Sequence, residues 1–280
     1  PGQYPERIDF RGKTLTLGSL FLTTGKRSYI EETSIKGAIW HVVSTDARLS
    51  GFTLTNENAS SQVPTIHCNG DAYLDNLIIK NNQTTAIDHY EGHMRIENCE
   101  IRNNTKGLVT SQDSIITMTN SLVVGNSEGG IFADNCELNV FFSTIARNGE
   151  TGTGNQAGFN LTNTTLTLEN SIVANNPTGV HITGGALFTK YSLVTGGLGS
   201  IIQNSAEEIS LGIGTLEDEP RFTSPLAGDF SLSEYSPAIG QANPTHAPAV
   251  DLYGMPRTSP TNSSPDMGAI EQERATPEIF

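Results

Sequence analysis

The sequence predicts an all-β protein, a single-stranded right-handed parallel β-helix (solenoid) with about 22 residues per coil. A heptapeptide recurs at nearly constant spacing, and each repeat holds three short apolar segments that alternate with polar residues. Of the 280 residues, 28 are Gly, 36% are apolar and only 16% are charged. This composition is typical of short strands joined by turns and lacks the excess of Glu, Lys and Ala expected of helices.

The repeated heptapeptide ends in Asn in five consecutive copies. The copies begin at residues 76, 98, 120, 142 and 170, and weaker copies begin at residues 51 and 191. The spacings are 22, 22, 22 and 28 residues, so we expect one coil to carry an insertion, placed at residues 150–155. At ~3.3 Å per residue, such a coil can wind once around a triangular core, and coils stack ~4.8 Å apart.

Stacked coils place equivalent residues in columns. We expect a branched column to point into the core and a column of small residues to be buried as well. In a third column, of Asn, we expect left-handed backbone and side-chain hydrogen bonds between neighbouring coils. The branched column is Ile79, Ile101, Val123, Ile145 and Val173; the small column is Cys99, Ser121, Ser143, Ser171 and Ser192; the Asn column is Asn82, Asn104, Asn126, Asn148 and Asn176.

The repeat divides the chain into three parts. Residues 1–204 are predicted to form the coils, the first of them truncated, and residues 273–280 a linker or tail. The repeat stops at Ser205, and residues 205–272 are rich in turn-forming residues. They are predicted to be an irregular C-terminal cap of the same domain, because the last apolar layer of a solenoid would otherwise face water.

The formal net charge of −14 argues against nucleic acid and anionic membranes as partners, since both would repel the chain. No stretch approaches the ~20 apolar residues of a membrane span. The acidic surface either serves solubility alone or binds divalent cations. We expect an extracellular or cell-surface location, with a signal peptide removed or outside this sequence.

The three cysteines, Cys68, Cys99 and Cys136, cannot all be paired within one chain. Cys99 stands in the small column and Cys136 looks similar, so we expect buried, inert thiols. The sequence holds no CxxC or HExxH pattern, which argues against a metal cluster of the zinc type.

The C-terminal part contains Ser-Pro-Ala-Ile at residues 236–239, Asp-Leu-Tyr-Gly-Met-Pro-Arg at 251–257 and Asp-Met-Gly-Ala-Ile-Glu at 266–271. With the repeats at 142–148 and 170–176, these segments resemble bacterial secreted or surface β-helix proteins of the choice-of-anchor Q type. The resemblance covers most of the chain and implies export and a place in cell-surface, adhesin-like or polysaccharide-processing proteins. Within this part, Asp251 is predicted to cap a turn and Arg257 to pair with Asp266 or Glu271.

The most charged and aromatic stretch of the repeat region, residues 87–95, is the candidate site for chemistry. If Ile66, Ile87 and Leu108 point inward, His67 lies beside Asp88 on the next coil. A polysaccharide lyase needs a base, often Lys or Arg, near a bound cation that neutralises the uronate carboxylate, and a glycosidase needs two or more carboxylates flanking the bond. The candidate catalytic residues are therefore Asp88, His89, Arg95 and His67, and the candidate ligand-binding residues are Tyr90, Glu91 and His93.

Two observations weigh against catalysis at this stretch. The fragment Ile87-Asp88-His89 resembles part of a pectate lyase segment, but Ala86 stands where that segment has Trp and no RxPxxR motif follows. The alternative is a solvated turn that carries a surface His–Asp pair.

Asp75 and Glu97 are expected to stack in neighbouring coils. Carboxylates ~5 Å apart repel each other unless a cation or a proton intervenes. The pair is the candidate metal site, with Ca²⁺ as the candidate cofactor. The alternative is that both side chains extend into water.

Two functions remain open from the sequence. The first is an exported surface or extracellular module with a structural, adhesive or carbohydrate-binding role, whose partner is a polysaccharide or a cell-surface protein. The second is a polysaccharide lyase, or a glycoside hydrolase, that acts on an acidic polysaccharide. Nearly every coil lacks a long loop between its strands, whereas in a lyase long loops usually form the sides of the substrate groove. The first function is therefore preferred.

Overall fold

The computed structural model is an all-β parallel β-helix. It describes residues 1–42, 47–56, 63–150, 156–258 and 261–274, without the side chains of residues 41 and 42. The insertion predicted at residues 150–155 lies outside the described residues except for Glu150. None of the helices in these ranges has the length and hydrophobicity needed to cross a membrane.

The strands form three parallel stacks around one core. The first stack is a nine-stranded sheet, and the second and third belong to one 16-stranded sheet because Ala157–Glu169 and Thr178–Lys190 run through the corner between them. The first stack consists of Gly2–Tyr4, Thr33–Ile35, Thr53–Leu54, Ile78–Lys80, Glu100–Arg102, Leu122–Val124, Thr144–Ala146, Ile172–Ala174 and Leu193–Val194. The second consists of Ile8–Asp9, Ile39–Val42, Ile66–Asn69, Thr85–Tyr90, Lys106–Ser111, Gly129–Asp134, the first halves of the two long strands and Ile201–Asn204. The third consists of Thr16–Gly18, Arg48–Ser50, Ala72–Asp75, His93–Glu97, Ile115–Thr119, Glu137–Phe141, the second halves of the two long strands and Glu208–Leu211.

The predicted branched column lies in the core. Ile79 pairs with Ile101, Ile101 with Val123, Val123 with Ile145 and Ile145 with Val173 in unbroken register. None of the five is more than 1% exposed. Because a strand alternates sides with period two, this register also fixes which residues face outward on the neighbouring stacks.

The Asn column forms the predicted buried ladder. In the first four copies, the Nδ2 group donates to the Oδ1 atom of the next copy at 2.8–3.2 Å, and that Oδ1 atom also accepts a backbone N–H from the preceding coil. The expected left-handed backbone in this column is wrong, because the residue just before each Asn makes the bend. These left-handed residues, with φ from 54° to 64°, are Asn81, Asn103, Gly125, Arg147 and Asn175.

The small column forms a second buried ladder. The Oγ atom of Ser121 accepts the backbone N–H of Cys99 at 3.1 Å and donates to the carbonyl of Thr119 at 2.9 Å. The same two bonds recur at Ser143, Ser171 and Ser192. A small polar residue at this position therefore satisfies one backbone donor of each coil.

Two one-turn helices, Phe21–Thr24 and Ser28–Glu32, interrupt the N-terminal coils where the sequence predicted strands alone. Ile30 is 1% exposed, and its carbonyl accepts the hydroxyl of Thr53 at 2.9 Å. Segments of four and five residues are too short for a 3.6-residue period to show in the sequence.

Parallel pairing continues beyond the predicted boundary at residue 204, since Glu208–Leu211 still pairs with Thr178–Lys190. The closing segment (described residues of 222–274) begins with the antiparallel pair Phe222–Ser224 and Asp229–Leu232. It lies against the outer side of the first stack, because that side is apolar and would otherwise face water. Its residues share apolar clusters with Leu122, Val124, Ala146, Phe142, Ile172 and Ala174.

Arg257 anchors the closing segment to the first stack. It is 1% exposed, and its guanidinium lies 4.7 Å from the centre of the Phe142 ring and donates to Oδ1 of Asn120. Its Nη1 atom lies 3.6 Å from Oε2 of Glu271, and it also donates to the backbone carbonyl of Asp266 at 3.3 Å. The predicted pairing of Arg257 is confirmed.

A second arginine and a third carboxylate complete this cluster. Arg274 lies 3.3 Å from Asp266 and 3.5 Å from Glu271. Asp251 accepts the backbone N–H groups of Tyr253 and Met255, each at 2.8 Å, which confirms the predicted turn cap. The predicted tail, residues 273–280, is described only as far as residue 274.

Candidate functional site

His67 and Asp88 form a surface pair on the second stack. Asp88 is paired in register with His67, while Ile66 and Ile87 pair beside them and point into the core. The Nδ1 atom of His67 lies 2.9 Å from Oδ2 of Asp88, and the two side chains are 26% and 37% exposed. Since a carboxylate only accepts, the Nδ1 atom of His67 is the donor of this hydrogen bond.

Trp40 extends this pair by one coil. Its ring lies 5.1 Å from the imidazole of His67 at an angle of 47°, and the guanidinium of Arg7 lies 4.2 Å from its centre. The outward row on the second stack therefore reads Trp40, His67, Asp88. Sequence reasoning missed Trp40 because Ile39 pairs with Ile66 across 27 residues, which breaks the 22-residue period there. Aligning Ile39 with Ile66 would have revealed it.

His89 is a core residue and not part of the surface site. It is 1% exposed, its Nε2 donates to the carbonyl of Gly70 at 3.0 Å, and its Nδ1 lies 3.1 Å from the hydroxyl of Thr110. Burial lowers the pKa of this imidazole below its ordinary value. His89 is therefore a neutral histidine with both nitrogens satisfied, and the strand alternation that exposes Asp88 turns it inward.

A sharp corner divides the remaining predicted residues between two stacks. Tyr90 is 43% exposed at the end of the second stack, and Glu91 and Gly92 make the corner with φ of 65° and 88°. A Cβ atom at Gly92 would lie 2.8 Å from the backbone of Gly70, so only glycine fits there. His93 and Arg95 follow on the third stack, where Arg95 is paired in register with Tyr73.

Arg95 and His93 line a groove on the third stack. Its volume is about 370 Å³, and its walls include Arg48 and Tyr73. The backbone N–H of His93 donates to Asp71 at 2.8 Å. The predicted cluster is thus divided between two groups, His67–Asp88 on the second stack, with Trp40 beside them, and Arg95–His93 on the third.

Asp75 and Glu97 stack in register as predicted, but protein donors already surround them. Arg48 donates to both oxygens of Asp75 at 2.7 and 2.9 Å, and the hydroxyl of Ser50 donates at 2.8 Å. The hydroxyl of Tyr73 donates to Glu97 at 2.6 Å. Burial and this hydrogen bond raise the pKa of Tyr73.

These contacts relieve the repulsion that suggested a Ca²⁺ site. The described ranges contain no group of three or more His, Cys, Asp or Glu residues placed to hold a metal ion. The proposal of Asp75 and Glu97 as metal ligands is therefore not supported by their geometry. Sequence reasoning missed Arg48 because its coil pairs with the next across 25 residues instead of 22, with Arg48 opposite Tyr73 and Ser50 opposite Asp75.

The three cysteines are free and buried, as expected. Burial raises the pKa of each thiol, so thiolate chemistry is suppressed at all three positions.

The chain matches the family model described as "Right handed beta helix region" over residues 24–210. Among solved structures it is similar to pectate lyase Pel9A, with 14% sequence identity and a TM-score of 0.43 over 96% of this chain and 87% of that chain. No curated protein sequence matches it. Since the family model spans more than half of the chain, this protein belongs to the right-handed β-helix family.

Proposed function

We propose that this chain is an exported or cell-surface β-helix module that binds polysaccharide, with an adhesive or structural role. The observation that carries the proposal is the outward row Trp40, His67, Asp88 on the second stack. It places an indole, an imidazole and a carboxylate side by side on consecutive coils, each of them partly buried.

This row has the chemistry of glycan recognition. Sugars present hydroxyl groups that both donate and accept hydrogen bonds, and faces of C–H groups that pack on aromatic rings. Asp88 accepts, the Nε2 atom of His67 is left for a further hydrogen bond, and Trp40 offers an aromatic surface. Because coils repeat every ~4.8 Å, a chain ligand along the stack meets successive side chains at regular intervals.

Two features favour an extracellular location. The free cysteines are at most 8% exposed, so they can persist as thiols in an oxidising compartment without cross-linking other chains. The closing segment resembles that of exported proteins of the choice-of-anchor Q type, and Arg257 holds it against the coils through Asn120 and Phe142.

Polysaccharide lyase activity is the second candidate, and one observation favours it. Asp88 orients the imidazole of His67 with Nε2 free, which is the arrangement of a general base. His89 and Arg95 do not join this group, because one is in the core and the other lies beyond the corner on the third stack.

Calorimetric titration of the full chain with hexasaccharides of neutral sugars and of uronates tests the proposal. We expect binding that Trp40→Ala and Asp88→Asn each weaken at least tenfold. The matched control is Asn139→Ala, an outward Asn on the third stack, which should bind like the wild type. Affinities unchanged in both second-stack variants would contradict the proposal.

A lyase assay separates the two candidates. Uronate polymers are incubated with the chain and Ca²⁺, and the unsaturated product is followed by its absorbance. Product that forms with the wild type and not with His67→Ala would establish the lyase. Binding without product supports the non-catalytic module.

A further inference from the structure

The groove on the third stack crosses four coils. Its floor is one outward column, in which neighbours are paired in register on consecutive coils: Thr16, Arg48, Tyr73 and Arg95. With ~4.8 Å between coils, this floor is about 14 Å long. None of its residues belongs to the outward row of the second stack, so the groove is a separate surface.

Two arginines leave donor groups unused in this groove. The Nε and Nη2 atoms of Arg48 bond to Asp75, and its Nη1 atom is neither buried nor bonded to any residue that the structure describes. Arg95 is exposed, and within the described ranges no hydrogen bond or ion pair occupies its guanidinium. A ligand that enters the groove therefore meets guanidinium N–H groups that it can reach.

Three carboxylates border the groove, and each already accepts a hydrogen bond. The hydroxyl of Tyr73 donates to Glu97 at 2.6 Å, and a backbone N–H donates to Asp71 at 2.8 Å. Asp75 is held by the contacts described above. Among the residues that the structure describes, the positive charge of Arg95 thus has no counter-ion, although the formal net charge of the chain is −14.

An exposed guanidinium without a partner suits an oxyanion. Its planar fork can donate two parallel hydrogen bonds to a carboxylate or a sulfate group, and such charge-assisted bonds are stronger than bonds between neutral groups. The imidazole of His93 and the hydroxyl of Thr16 also line the groove and can bond to sugar hydroxyls. An acidic sugar would supply the counter-ion that Arg95 lacks, whereas a neutral sugar would not.

We propose that this groove is a second glycan site, separate from the second-stack row, in which Arg95 binds an anionic group of the sugar chain, a uronate carboxylate or a sulfate ester. This inference rests on the proposed function and deepens it, because it names an acidic polysaccharide as a ligand of the module. Two sites on different faces let one module bridge two glycan chains, which fits an adhesive or structural role.

Calorimetric titration of the full chain at low and at high NaCl tests this inference. The probes are a galacturonate hexasaccharide, a sulfated galactose hexasaccharide and a neutral galactose hexasaccharide, so that carboxylate and sulfate are distinguished. We expect at least one acidic probe to bind, and Arg95→Gln to weaken its binding at least tenfold at low salt, where charges are screened least. Arg95→Lys keeps the charge without the fork, and its affinity should lie between those of the wild type and Arg95→Gln.

The matched control is Lys190→Gln, which removes another exposed cation farther along the third stack. This variant should bind the acidic probes like the wild type. Because Arg95 is exposed and has no partner among the described residues, Arg95→Gln should keep the wild-type melting temperature, so its loss of binding is not a loss of folding.

Three outcomes overturn the inference: unchanged affinity of the acidic probes in Arg95→Gln, equal weakening by Arg95→Gln and Lys190→Gln, and no binding of either acidic probe. In each case, binding of the neutral probe that Trp40→Ala weakens would leave the proposed function standing. Conversely, acidic binding that depends on Arg95, with no binding that depends on Trp40, would support this groove and contradict the second-stack row.

Discussion

The Nε atom of Arg48 lies 2.7 Å from Oδ1 of Asp75 on the neighbouring coil, at the place where stacked carboxylates had suggested Ca²⁺. Asp75 is 1% exposed, and Arg48, Ser50 and Asn76 all donate hydrogen bonds to its carboxylate. The guanidinium of Arg48 supplies the positive charge that was expected of Ca²⁺. With this group in place, the carboxylate of Asp75 has no open position to coordinate a metal ion.

The first prediction concerns this ion pair. Arg48→Met keeps the apolar stem and removes the charge, which leaves Asp75 buried without its counter-ion. We expect the free energy of unfolding to fall by about 2 kcal/mol, measured by urea denaturation. The wild type should melt at the same temperature in Ca²⁺ and in EDTA. A clearly higher melting temperature in Ca²⁺ would instead support a metal site at Asp75 and Glu97.

The second prediction compares two adjacent asparagines. Asn104 is 2% exposed and bonds to Asn82, Asn126 and the carbonyl of Ile79, so Asn104→Ala should lower the free energy of unfolding by about 3 kcal/mol. Asn103 only supplies the left-handed bend, with φ of 56°, and Gly125 does so one coil later. Asn103→Gly should therefore change stability by less than about 0.5 kcal/mol. If both variants lost the same free energy of unfolding, the hydrogen bonds of the Asn ladder would add no stability beyond that of the left-handed bend.

The third prediction concerns the cysteines. Cys99 occupies a position that is Ser in the next four coils, where each hydroxyl bonds to the carbonyl two residues earlier. Cys99→Ser should therefore be tolerated within about 0.5 kcal/mol. Cys68→Ser places a hydroxyl in the apolar core and should cost about 2 kcal/mol. In the native state none of the three thiols should react with a thiol reagent, and all three should react in urea; fast native labelling would contradict their burial.

The branched column shows why the fold could be predicted from the sequence. Ile79, Ile101, Val123 and Ile145 repeat at one spacing, and each must face the core in a stacked coil. The same register placed His67 beside Asp88, so that contact was also predictable. Regular spacing predicts these positions because residues of a strand alternate between its two faces. Once one column is known to face the core, the facing of the neighbouring residues is determined.

The remaining site residues escaped prediction for physical reasons. Trp40 and Arg48 belong to coils whose spacing departs from 22, so their partners in the stack could not be aligned. His89 was assigned to the surface because its stretch is polar, although alternation with Asp88 turns it inward.

The fourth prediction concerns the ionic cluster of the closing segment. Three carboxyl groups, Asp251, Asp266 and Glu271, lie around two guanidinium groups, and burial raises the pKa of Glu271 from 4.5 to about 7. Between pH 4.5 and 7 the folded chain keeps a proton that the unfolded chain releases. The free energy of unfolding should therefore fall as pH rises through this window and level off above it.

Glu271→Gln isolates this effect. The variant should match the wild type near pH 4.5 and exceed its free energy of unfolding by up to about 3 kcal/mol at pH 8. Glu208→Gln, on an exposed side chain, is the control and should follow the wild type at every pH. A difference that grows toward low pH would contradict the raised pKa.

The central claim is that glycan binds along the outward face of the second stack. The most direct measurement is a titration of the isotope-labelled full chain with a binding hexasaccharide, followed by amide chemical shifts. The account predicts changes in Ile66–Asn69, Thr85–Tyr90 and Gly129–Asp134, with Glu137–Phe141 on the third stack unchanged. Changes confined to the third stack or to the closing segment would contradict it.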